Sequence, residues 1–133
     1  MSIEGIDGQL NAVVRECGEI NRSKGWEDLD RRPAEIHALI HSEISEALEQ
    51  VREGKPDLYQ IFVAYDREKV IITEDHPEWQ SDRKPEGESV ELMDACIRIM
   101  SYYDAKGWDF EKILRMKMAY NRTRPHLHGG KKL

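Results

Sequence analysis

The chain has 133 residues, with 26 Asp and Glu against 20 Lys and Arg, for a formal net charge of −6. This length suits one domain over residues 1–133, and the acid excess argues against a nucleic-acid coat or an anionic-membrane binder, both of which need a basic face. No window approaches the roughly 18 apolar residues of a membrane span, the acidic first ten residues lack a signal peptide's basic and apolar regions, and Cys17 and Cys96 form no CxxC, so a cytoplasmic protein with two reduced core thiols is expected.

Residues 5–23 carry Ile6, Leu10, Val13, Val14, Cys17 and Ile20 at spacings of three and four, the stripe of an amphipathic helix that Lys24-Gly25 closes. A polar connector leads to Pro33, suited to a first helical turn. Residues 33–53 follow as a second helix, with Ile36, Leu39, Ile40, Ile44, Ala47, Leu48 and Val51 on one side and a stop at Gly54-Lys55-Pro56. Residues 59–65 and 70–73 are rich in β-branched and aromatic types around the turn 66–69, which predicts a small hairpin. An acidic, proline-punctuated loop follows over 74–87, so the insertion runs from about 57 to 87. A third helix over 88–106 has a wide apolar arc, including Val90, Leu92, Met93, Cys96 and Met100, and Gly107 ends it. A fourth covers 108–122 with Phe110, Ile113, Leu114, Met116, Met118 and Tyr120, before a basic tail over 122–133. The pattern predicts an all-α, four-helix bundle with a β-hairpin between helices 2 and 3. The wide arc of the third helix predicts a homodimer or tetramer, because one small bundle would struggle to cover it.

The chemistry sits in two acidic pairs. Glu43 and Glu46 lie one turn apart on the second helix, and at about 100° per residue Glu43 falls inside the arc of Ile36, Leu39, Ile40 and Ala47. Glu91 and Asp94 repeat the spacing on the third helix, where Asp104 also falls inside the apolar stripe. A carboxylate in a core stripe is costly unless paired or liganded. Four carboxylates facing one another would repel by about 3 kcal/mol per pair at roughly 5 Å and an effective dielectric near 20. A cation would relieve that repulsion, and all-oxygen ligation suits Mg²⁺ or Mn²⁺ rather than zinc. His37 and His41 are four apart but lack the glutamate of HExxH, since Ala38 follows His37, and the acids form no Glu-x-x-His pairs for a di-iron site.

With Glu43-x-x-Glu46 followed by Glu91-x-x-Asp94, the chain resembles the EExxE…ExxD signature of the MazG-like, all-α nucleoside triphosphate pyrophosphohydrolases, and most of all their short single-domain phage and bacterial forms. The resemblance takes in Lys24-Gly25-Trp26, Lys55-Pro56, Lys84-Pro85-Glu86-Gly87 and the stretch from Asn121 through Arg124 to Lys131-Lys132. Ser42 stands where the motif has its first acid, and the interval between the pairs is long.

The resemblance implies hydrolysis of a nucleoside triphosphate between its α and β phosphates, giving a monophosphate and pyrophosphate, in nucleotide-pool control or house-cleaning. Glu43, Glu46, Glu91 and Asp94 would hold Mg²⁺, and one of them, taken as Glu46, would serve as base for the attacking water. Lys117 and Asn121 resemble a nucleotide-contacting Lys/Asn pair, Arg124 and Lys131 would grip phosphate, and Trp26 and Asn21 would meet the base. The alternative is a non-catalytic oligomerisation or regulatory module in which the acids form salt bridges with Arg52, Arg98 or Lys112.

Overall fold

The computed structural model describes residues 8–125. In chain order these form α1 (Gln9–Ser23), a 3₁₀ turn (Asp28–Asp30), α2 (Pro33–Arg52), β1 (Gln60–Val63), β2 (Lys69–Ile72), α3 (Glu88–Lys106) and α4 (Phe110–Thr123). The protein is therefore mostly helical with a two-stranded antiparallel sheet between α2 and α3. No helix among the described residues is long and apolar enough to cross a membrane. The described residues fall into two compact units, one of residues 30–99 and one of 8–29 with 100–125, so α3 gives its first part to one and its last part to the other.

In the unit of residues 30–99, Pro33 opens α2 at a position where its missing N–H costs nothing. Gly54 closes it in a left-handed conformation (φ 68°), its N–H donating to the Val51 carbonyl while Lys55 N–H donates to that of Gln50. α2 is apolar on two sides. Ile36 and Ala47 are buried, whereas Ile44, Leu48 and Val51, expected on the same side, are about half exposed. The hairpin pairs Gln60 with Ile72 through to Val63 with Lys69. Ile72, Tyr59 and Ala95 join the core, and the Tyr59 hydroxyl donates to Gln50 Oε1 of α2 at 2.7 Å.

The loop after β2 is held by a side chain. Gln60 is almost wholly buried, its Nε2 donating to the Gln80 carbonyl at 2.6 Å and its Oε1 accepting from Gln80 N–H at 3.2 Å, so its amide does the work of a third strand. At the base of the insertion, Tyr59 and Glu86 exchange two backbone hydrogen bonds of 2.8 Å. The Asp57 carbonyl accepts from both the N–H and the hydroxyl of Ser89. Gly87 between them has φ 121°, and a Cβ there would overlap the Asp57 carbonyl oxygen. This clasp fixes where α3 starts.

In the other unit, α1 begins at Gln9, and residues 5–7 of the expected helix lie outside the described residues. α4 begins at Phe110 rather than Trp108, because Asp109 caps it by accepting from Lys112 N–H at 3.0 Å. Asn11 links the two helices, donating to Asp109 Oδ1 and accepting from Glu111 N–H. Val14, Gly18 and Tyr102 are buried, and Trp108 packs edge-on to Tyr102 and Tyr103. Asp104, the acid in the apolar stripe, is paired with Arg22 at 2.9 Å above Gly18, where a Cβ would overlap its Oδ2. Both cysteines are free thiols, but the expectation of two core thiols fails, since Cys17 is half-buried and Cys96 exposed.

Candidate metal centre

Glu43 enters the site from α2, on the side that buries Ile36 and Ala47. Glu91 and Asp94 enter from the first two turns of α3, just beyond the Gly87 clasp. One carboxylate oxygen from each lies within 4.8 Å of the others, and all three residues are half-buried. Glu46 stands on the exposed side of α2, outside this triad, and its carboxyl is hydrogen-bonded to that of Glu91. Ser42, at the position of the motif's first acid, is exposed and turns its hydroxyl back to the Leu39 carbonyl at 2.6 Å.

The electrostatics are those of a crowded acidic site. Burial first, then the hydrogen bond with Glu46 and the charges of Glu46, Asp94 and Glu43, push the Glu91 carboxyl from 4.5 up to about 7. Burial and the Glu43 charge also raise the Asp94 carboxyl, against the opposing pull of Arg98 and Lys84. Lys84, paired with Glu86 at 3.2 Å, is itself held above the ordinary lysine value, first by its hydrogen bond to Glu86 and further by the Glu91 and Asp94 charges. Arg98, one turn after Asp94, donates through Nε to Glu43 Oε1 at 2.9 Å, and both side chains are largely buried. The donor set is three carboxylates on two helices, all oxygen, which fits a hard divalent cation such as Mg²⁺ or Mn²⁺.

The other expected site residues belong to the second unit. Asn21 and Trp26 meet at the end of α1, where Trp26 N–H donates to the Asn21 carbonyl at 2.9 Å and Gly25 supplies the left-handed residue between them. Lys117 and Asn121 are exposed one turn apart on α4, with Lys117 Nζ 5.1 Å from the Tyr120 ring centre. Arg124 is exposed immediately after α4. Lys131, with Lys132, lies outside the described residues.

Arg98 and Lys84 are the site neighbours that the acid motif alone does not single out. Arg98 has a local signal, since it follows Asp94 by four residues on one helix face. Lys84 has no helical spacing to point to it, only its place in the Lys84-Pro85-Glu86-Gly87 stretch of the resemblance, because its loop is positioned by Gln60 and the clasp. No protein-family model, curated protein or solved structure matches this chain.

Proposed function

We propose that this protein is a Mg²⁺-dependent nucleoside triphosphate pyrophosphohydrolase of the MazG-like kind, with a four-helix bundle, releasing monophosphate and pyrophosphate from ribo- or deoxynucleotides. The observation that carries the reading is the convergence of Glu43, from one acidic pair, with Glu91 and Asp94, both members of the other, their carboxylate oxygens within 4.8 Å of one another. A divalent cation held there would neutralise phosphate charge and orient the reacting groups. The chain's own part is to hold the three carboxylates ready and to offer a base. Glu46, exposed at the edge of the triad and beside Glu91, is the candidate to take a proton from water. Lys117, Asn121, Arg124 and Lys131 are assigned to the phosphates, and Trp26 and Asn21 to the base, on the resemblance.

The rival, non-catalytic reading has one observation in its favour, the Arg98–Glu43 ion pair. One guanidinium, however, with Lys84 beside it, does not offset burial and the neighbouring negative charges, which together raise the carboxyls of Glu91 and Asp94. The half-exposed stripe of Ile44, Leu48 and Val51 on α2 supports assembly into a dimer or tetramer, and a sedimentation run giving a stable monomer would count against it.

The deciding experiment is pyrophosphate release from a panel of canonical, deoxy and oxidised triphosphates with Mg²⁺. Release that disappears in Asp94→Asn is expected. Absence of pyrophosphate from every common NTP and dNTP would overturn the proposal.

A further inference from the structure

A basic group touches the acids of the site, the Arg98 guanidinium against Glu43. We infer that Arg98 is a positioning residue of the metal centre, which holds Glu43 to a one-oxygen mode of ligation and so sets the preference for Mg²⁺ over a larger cation; the inference rests on the proposed function above. Arg98 Nε lies 2.9 Å from Glu43 Oε1, and the two side chains are only 25% and 12% exposed, so solvent screens the contact little. The pair joins residues 55 apart in sequence, and Arg98 lies one turn from Asp94 on the helix that supplies the other two carboxylates. A guanidinium N–H donates along a fixed direction in the plane of the group, unlike a rotating ammonium. It therefore restrains the rotation of the Glu43 carboxyl as well as its place, with Oε1 engaged by Arg98 and Oε2 the oxygen that would meet a cation.

That restraint bears on which ion fits. Mg²⁺ requires near-ideal octahedral geometry at about 2.1 Å, whereas Ca²⁺ accepts longer bonds, irregular shells and both oxygens of one carboxylate. A Glu43 tied by one oxygen favours the former.

The test compares wild type, Arg98→Lys and Arg98→Met by thermal shift during titration with MgCl₂ or CaCl₂ in the absence of nucleotide. Arg98→Lys keeps the charge and loses the planar N–H. The expected result is a rise of about tenfold or more in the Mg²⁺ midpoint with a Ca²⁺ midpoint changed less than about threefold, so that the ratio of the Mg²⁺ midpoint to the Ca²⁺ midpoint rises. Arg98→Met should lose the preference as fully. If the Mg²⁺ and Ca²⁺ midpoints move together or stay put in Arg98→Lys, the inference is overturned. A tighter Mg²⁺ midpoint in Arg98→Met would also overturn it, because that result means the arginine acts only as a repelling charge. Glu43→Gln separates this from failure of the centre itself. If Glu43→Gln leaves the Mg²⁺ response intact, the metal site is wrong; if it abolishes the response while Arg98→Lys keeps the ratio, only the positioning role is wrong.

Discussion

Glu91→Gln should make the metal-free protein more stable at pH 8 while removing its response to Mg²⁺. The folded Glu91 carboxyl titrates at about 7 against an ordinary 4.5, so between those values the folded chain binds a proton that the unfolded chain has released. Stability therefore falls as pH rises through that window, and above it the full cost of an ionised Glu91 is carried. A shift of 2.5 from those two values corresponds to about 3 kcal/mol. Glu91 is only half-buried, so screening by solvent brings this to about 2 kcal/mol. At about 2 cal/mol/K of unfolding entropy per residue, that is about 7 °C for 133 residues. The glutamine keeps the shape and can still donate to Glu46, but it never ionises. The assay is thermal unfolding in EDTA at pH 5 and pH 8, followed by addition of Mg²⁺. Wild type should lose stability relative to Glu91→Gln between the two pH values and regain it with Mg²⁺, while Glu91→Gln should be insensitive to the ion. An unchanged difference between the two proteins across that pH range would refute the reasoning.

Three further outcomes are expected. Lys84→Ala should leave the melting temperature within about 1 °C, since an exposed ion pair is worth little, yet NMR titration should find the Asp94 carboxyl raised further, because Lys84 opposes that rise. Gly18→Ala should lower stability by about 1–2 kcal/mol, the clash with Asp104 outweighing the gain in helix propensity, and chemical denaturation should find Gly18→Ala/Asp104→Ala less impaired than additivity requires. Tyr59→Phe should cost about 1 kcal/mol in the same assay, because it removes the donor to Gln50 Oε1.

Much of the fold was legible from local chemistry. Pro33, Gly25, Gly54 and Gly107 act where the chain must start or stop a helix, and α2 and α3 lie within a residue of the expected ranges. Glu43 was legible as a carboxylate inside a core stripe, and it does point inward. Periodicity reports a stripe but not which of two stripes turns inward. α2 carries Ile36, Glu43 and Ala47 on one side and Ile44, Leu48 and Val51 about 100° away, and the difference is settled by neighbours distant in sequence. The same limit hid the fit of Asp104 over Gly18 and the buried amide of Gln60, whose partners lie far along the chain. At the acids, composition gave the residue types, while the division of Glu46 from the triad depends on how α2 is rotated about its axis.

The clasp at Gly87 has a consequence for how this chain tolerates change. Because residues 57–59 are tied to 86–89 at the base of the insertion, the path between them is a closed detour. Residues added to or removed from the detour, away from Gln60 and Gln80, alter its outer contour without changing where α3 departs from α2. The long interval separating Glu46 from Glu91 in sequence is thus freed from setting the spacing of the acids, and that spacing belongs to a few backbone atoms where the detour closes.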